Sequence, residues 1–192
     1  MIAPVRSAEE RAALYALRYN VIVREQGYGT DPSADHARGT IIDPADDAGI
    51  VLAAWHESAL IGSVRCNLLR DGPAMPCCQV LGLDTLPDNQ RALLSVSSRL
   101  VVSTPWRTTP VAIRLMQAGY RCYRVAGLDW DYIVVRPEVV GFYTRLGYVP
   151  AGEAVAYPGV GQLNPLRLDL APDYLERVQS VLVVGSAEQN KA

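Results

Sequence analysis

Lysine is nearly missing: Lys191 is the sole one in 192 residues, so almost every positive charge is an arginine. The planar guanidinium fork suits bidentate contact with carboxylate and phosphate. Histidine is as scarce. His36 and His56 lack ligand spacing, and Cys66, Cys77, Cys78 and Cys122 form no CxxC. No metal site is expected from such a set. Adjacent Cys77 and Cys78 do not readily bridge each other, so small buried thiols are expected. No stretch approaches the roughly 20 apolar residues of a membrane span. The first residues reach Arg6, Glu9, Glu10 and Arg11 without a long apolar run, which argues against a signal peptide. A net charge of -2 offers no basic excess for nucleic acid. These absences describe a cytoplasmic chain with reduced thiols.

What is present is ordinary globular material, 49% hydrophobic and 20% charged. The expected organisation is one domain over 1–192, with an N-terminal helix and loop (1–48), a sheet core (49–170) and a C-terminal helix and tail (171–192). Ser7 with Glu10 reads as a capping box opening a helix to about 25, with Leu14, Leu17 and Val21 on its apolar stripe. Gly27 stops it. Residues 28–47 are rich in Gly, Asp, Pro and Ser and read as a long surface loop. Strands are expected over 49–56 and 59–69, joined as a hairpin, and over 94–102, where Val96, Val101 and Val102 are β-branched. A helix capped by Thr108 or Thr109 runs to about Ala126, with Val111, Leu115, Ala118, Cys122 and Val125 on one buried face. Then follow a strand (132–136), a helix (138–146), a strand from Tyr148, a strand (166–170) and a helix near 172–184. The order is α+β with a mixed sheet.

The stretch 131–152, DYIVVRPEVVGFYTRLGYVPAG, ends a strand in Arg136-Pro137, places Tyr143 four residues before Gly147 and opens the next strand at Tyr148. This resembles the last αβ unit of the GNAT N-acyltransferase superfamily. The resemblance implies a mostly antiparallel, twisted mixed sheet flanked by helices, with a splayed central strand. It also implies that Tyr143 stands near a thioester sulfur and protonates the departing thiolate. Arg107-Thr-Thr-Pro110-Val-Ala112 stands where that superfamily has its phosphate-cradling loop. Pro110 replaces the first glycine and has no N–H to donate, which hints at a donor lacking pyrophosphate, such as an acyl carrier protein.

The first half resembles acyl-homoserine-lactone synthases and the related N-acyl amino acid synthases. Leu17-Arg18 to Ile22, Gly27-Tyr28, the acidic run Asp43 to Asp47, Gly62-Ser-Val-Arg65 and Ser98-Arg99 follow that family's order. The lactone synthases carry a glutamate three residues before the Ser-Arg arginine; here Val96 takes its place. That speaks against a lactone synthase using S-adenosylmethionine.

The resemblance assigns Tyr143, Arg99 and Ser98 to the catalytic set, and Arg18, Tyr28, Asp43, Asp46 and Arg65 to the acceptor site. It assigns Val101, Val102, Trp106, Arg107, Thr109, Ala112 and Arg114 to the acyl donor. Alternatives stand beside each. Tyr143 is a general acid or a core tyrosine. Arg18, Arg65 and Arg99 grip an acceptor carboxylate, or pair with Asp43, Asp46 and Asp47 to close the loop over the sheet. Arg107, Arg114 and Arg121, spaced by seven, with Arg124 following, are a ridge for an acidic carrier protein or a solvated face.

The expected activity is transfer of a medium or long fatty acyl group to a small-molecule amine, such as an amino acid. Acyl carrier protein (through its phosphopantetheine) or acyl-CoA serves as co-substrate, and no tightly bound cofactor is expected. Rival readings are a lactone synthase, a short-chain acetyltransferase and a non-catalytic acyl- or carrier-binding module.

Overall fold

A computed structural model describes residues 1–72, 75–157 and 160–183. Its elements are β1 (Ile2–Pro4), α1 (Ala8–Tyr19), β2 (Ala34–Asp35), β3 (Thr40–Ile41), β4 (Ile50–His56), β5 (Ala59–Leu68), α2 (Pro76–Val80), α3 (Asp88–Arg91), β6 (Leu94–Val102), α4 (Val111–Ala126), β7 (Trp130–Val135), α5 (Val140–Arg145), β8 (Val149–Pro150), β9 (Val155–Tyr157), β10 (Gly161–Asp169) and α6 (Pro172–Arg177).

The main sheet has the order β1-β4-β5-β6-β7-β10-β8, with β9 paired to β10. Every neighbouring pair is antiparallel except β6 and β7. That parallel pair forms because α4 carries the chain back across the sheet, as a parallel connection requires. It is short. Pairing runs from Leu94↔Trp130 to Val96↔Tyr132 and stops, while β6 continues to Val102 and β7 to Val135. The two strands therefore part in a V that opens beyond Val96 and Tyr132.

A second irregularity sits on the same strand. Ser63 pairs with Val101 and Arg65 with Ser98, so β6 spends one extra residue against β5. The bulge falls at Arg99, whose φ of +54° is rare for a residue with a Cβ.

One face of the sheet carries α4 and α5 over the larger core, which includes Val64, Cys66, Leu115, Tyr123, Tyr143, Leu146, Tyr148 and Leu168. Glycines let α4 come close. A Cβ on Gly119 would meet Cys66 Sγ at 3.1 Å, and one on Gly62 would meet Val111 and Leu115 at 3.2 Å. The other face is covered by α1, the loop after it, and the segment holding Met75, Cys78 and Leu83 against Leu94 and Val96. No helix among the described residues is long and apolar enough to cross a membrane.

Ser7 and Glu10 form the expected capping box, with Glu10 N donating to Ser7 Oγ at 3.1 Å and Ser7 N to Glu10 Oε2 at 3.0 Å. Beyond Tyr19 the helix widens into a π-helical turn, Asn20–Glu25, ending before Gly27 at φ +79°. Other expectations need correction. No threonine caps α4: Pro110 holds that position, and the Thr109 hydroxyl instead donates to Trp106 O at 2.7 Å. Val125 is 91% exposed, because Tyr123 takes the buried place in the last turn. The C-terminal helix ends at Arg177, and the expected tail from 185 lies outside the described residues. Strands β1 and β9 carry no sequence signal strong enough to have been expected.

Candidate active site

The long loop after α1 folds down on the sheet through charge. Its small hairpin of β2 and β3 and a 3-10 turn at Pro44–Asp46 deliver three carboxylates to three arginines on other elements. Arg18, fully buried, donates to Asp46 through two nitrogens at 2.6 and 3.0 Å. Arg65 reaches Asp46 at 3.3 Å and Asp43 at 2.8 Å. Arg99 reaches Asp43 at 2.9 Å and, through a very short contact, Asp31. The result is one chain of alternating charge: Arg18, Asp46, Arg65, Asp43, Arg99, Asp31.

Such a chain tolerates burial only because every member is paired and hydrogen-bonded. Burial alone raises a carboxyl, yet Arg65 and Arg99 outweigh it and bring Asp43 down to about 2. Asp31 is lowered likewise, burial being outweighed by Arg99. Arg65 Nε also donates to Ser98 Oγ at 3.1 Å, which ties the chain to β6 beside the bulge. The ion pairs hold Arg99 in its left-handed backbone conformation, where strain of about 1–3 kcal/mol is typical. Arg18 has no exposed surface, so it braces the loop from beneath. Asp47, a foreseen partner, turns outward to Arg11.

The same loop crosses the open end of the V. Tyr28 stacks on Arg136, at the end of β7, with the guanidinium carbon 3.2 Å from the ring centroid. Three residues on, Asp31 grips Arg99 on β6. Arg99 lies three residues past the last parallel pair and Arg136 four past it. A single strap, 28–31, thus joins the two walls where they no longer pair. Tyr157 on β9 stands within electrostatic reach of Arg99, Asp31, Asp43 and Cys77, and burial raises its phenol.

On the α4 face, Tyr143 sits on α5 against the rings of Phe142 and Tyr148, at 5.0 and 5.5 Å. Its hydroxyl makes no hydrogen bond among the described residues. Burial, and then the charge of Asp131, push its pKa well above the usual phenol value, so it stays protonated. Asp131 is itself fully buried, and no cation among the described residues pairs with it. It accepts from Ser95 Oγ at 2.7 Å, Ser97 Oγ at 2.8 Å and, more closely still, Tyr148 Oη. Desolvation dominates over those hydrogen bonds and raises Asp131 to about 6.

The expected donor residues fall in two groups. Val101 and Val102 are buried at the end of β6, past the bulge. Trp106 packs on His56 at 4.5 Å and lines a surface cavity of about 150 Å³ with Trp55, Val111 and Arg114. Arg107 does not point freely at this loop: it pairs with Glu25 and donates to Val102 O at 3.0 Å. With Arg107 paired to Glu25, the foreseen ridge reduces to exposed Arg114 and Arg121; Arg124, also exposed, donates to Leu170 O at 3.3 Å. Ala112 lies in the first turn of α4, whose leading N–H groups have no intrahelical acceptor.

Asp31, Asp131, Arg136 and Tyr157 were not foreseen as site residues. Asp131 did leave a trace, since alternation with Ile133 and Val135 puts it on an apolar face. Asp31 and Tyr157 sit in segments without periodicity and left none.

The parted parallel pair, the bulge beside it and the flanking helices make a GNAT-like fold. Residues 13–169 match the model of the family described as N-acyl amino acid synthase FeeM, and the chain belongs to that family of acyltransferases. Solved structures of similar fold include FeeM, an N-acyl amino acid synthase from uncultured soil microbes (16% identity, TM-score 0.69, 96% of each chain covered). They also include BjaI, a CoA-dependent acyl-homoserine lactone synthase solved with SAM and isopentyl-CoA (17% identity, TM-score 0.70, 89% of this chain and 82% of that one). The acyl-homoserine lactone synthase LasI is a third (16% identity, TM-score 0.71, 93% and 92%). No curated protein sequence matches the chain.

Proposed function

We propose that the chain is a cytoplasmic N-acyltransferase moving a medium or long fatty acyl group from a pantetheine thioester to the amine of an amino acid. What supports this is the V between β6 and β7 and the arginine-braced strap across it, together with Tyr143, a protonated phenol on α5, the helix that follows β7. The thioester lies in the V, and its carbonyl oxygen takes a main-chain N–H near Val101 or Val102. The neutral amine enters from the strap side, where Tyr28, Ser98, Arg99 and Arg65 surround it. Asp43 and Asp46, with Arg18 beneath them, hold those arginines in place.

Nitrogen bonds to the acyl carbon and the carbon–sulfur bond breaks. Tyr143 gives its proton to the leaving sulfur and regains one from the attacking amine through solvent. The products are an amide and a free thiol, formed in one ternary complex. The acyl chain runs toward the apolar patch of Met75, Cys78, Leu83 and Val96.

Either acyl-CoA or acyl carrier protein fits as donor. The relative solved with isopentyl-CoA supports the first. Pro110, with exposed Arg114 and Arg121, supports the second; Trp106, Thr109 and Ala112 flank the arm in both cases. Val96 argues against S-adenosylmethionine as acceptor. The test is incubation with fatty acyl-CoA or acyl carrier protein thioesters and a pool of amino acids. Free thiol and a new N-acyl amino acid by mass spectrometry are expected; absence of both with every donor overturns the reading.

A further inference from the structure

Most of the arginines around the V are already spoken for. Arg18, Arg65 and Arg99 face Asp46, Asp43 and Asp31, three cations against three anions, all within 3.4 Å. A carboxylate arriving there displaces an existing partner and gains little. Arg136 differs. Among the described residues its only ion pair is with Glu138, at 3.7 Å, and that carboxylate is 64% exposed to water. Exposed pairs of this kind are weak. Arg136 itself is only 21% exposed and donates no hydrogen bond among the described residues. Burial accordingly pulls its pKa below the usual arginine value, with Glu138 only partly opposing.

Its placement suits recognition. Arg136 continues β7 in extended backbone (φ -72°, ψ 155°). Alternation past buried Val135, which packs with the α4-side core, sends its side chain to the strap face. There the Tyr28 ring covers the flat face of the guanidinium. Stacking of that kind leaves the in-plane N–H groups free for a bidentate carboxylate.

We propose that Arg136, stacked under Tyr28, binds the carboxylate of the amine acceptor and so selects amino acids over simple amines. This rests on the acyl-transfer reading above and assigns its acceptor specificity to a cation outside the Arg18–Arg65–Arg99 chain. It also gives the strap a second purpose, since folding of 28–31 over the V completes the carboxylate site.

The experiment uses the full chain with dodecanoyl-CoA as donor. The acceptors are the best amino acid from an equimolar set and the amine made by its decarboxylation. Arg136→Gln is expected to raise KM for the amino acid about 10- to 100-fold, the worth of one charge-assisted pair. Its KM and kcat for the decarboxylated amine stay within about twofold of wild type, which also certifies that the variant is folded. Arg136→Lys, which keeps the charge without the fork, falls between. Equal loss for both acceptors, or no loss for either, overturns the proposal. Should Arg136→Gln fail to fold, a wild-type enzyme that prefers the amine over the amino acid overturns it too. A wild type that acylates neither acceptor defeats the acyl-transfer reading itself, an outcome distinct from all the others.

Discussion

Tyr28 and Arg136, 108 positions apart in the chain, meet ring to guanidinium with 3.2 Å between the ring centroid and the guanidinium carbon. The contact ties the loop after α1 to the far wall of the V. A partly desolvated cation–π pair contributes about 1–2 kcal/mol. Tyr28→Leu is therefore expected to raise the KM for the amino acid, and not for its decarboxylated amine, by roughly five- to thirtyfold, by letting the Arg136 fork leave its stacked pose. Tyr28→Phe keeps the ring and should stay near wild type. Steady-state kinetics on both variants decide it; equal behaviour of the two removes the stacking from the account.

Tyr143→Phe separates chemistry from packing. The ring is packed, but the hydroxyl bonds to nothing among the described residues. Removing it leaves no buried partner unsatisfied, so the melting temperature should move by no more than about 2 °C. Loss of a general acid costs about a hundredfold or more in rate. The expected pattern is a collapse of kcat with KM and stability preserved. A destabilised variant with normal kcat identifies Tyr143 as a core residue.

Much of this geometry was written in local sequence. Ser7 with Glu10, the β-branched 94–102 stretch and Gly127 each encode a boundary through short-range physics, and the structure places strands or helices there. The foreseen alternative for Arg18, Arg65 and Arg99, closure of the loop by ion pairing, is visible as the alternating chain. What was not legible depends on distant pairing. Asp31 was one of several loop acids, and nothing local shows that it meets Arg99. Strand β1, three residues long, exists because β4 offers it an edge. The parting of β6 from β7 arises between strands joined through α4, beyond the reach of any single motif.

Asp46 is the keystone of the charge chain, since both Arg18 and Arg65 bond it. Asp46→Asn leaves Arg18 buried with a neutral partner. Breaking a buried pair typically costs about 3–5 kcal/mol. For a chain of this size that corresponds to a fall of roughly 10 °C or more in melting temperature. Asp47→Asn, at an exposed pair with Arg11, should shift it by at most about 2 °C. Thermal unfolding of both variants tests the contrast, and similar shifts contradict it.

Asp131 gives the fold an unusual pH dependence. Its carboxyl is raised to about 6 by burial, above the unfolded value near 4. The folded state therefore holds a proton that the unfolded chain has released between those values. The stability this contributes is whole below about pH 4 and is lost as pH rises through about 6, roughly 3 kcal/mol in all. Asp43 works in the opposite sense: its lowered pKa stabilises above about pH 4, and that part is lost as pH falls through about 2. The two windows do not overlap, so they can be read separately. Asp131→Asn removes only the upper one. Urea unfolding from pH 4.5 to 7 should show wild-type stability declining relative to the variant by up to about 3 kcal/mol, with the gap closing toward pH 4. Parallel curves across that range would mean that Asp131 stays ionised in the fold, and that Ser95, Ser97 and Tyr148 compensate fully for its burial.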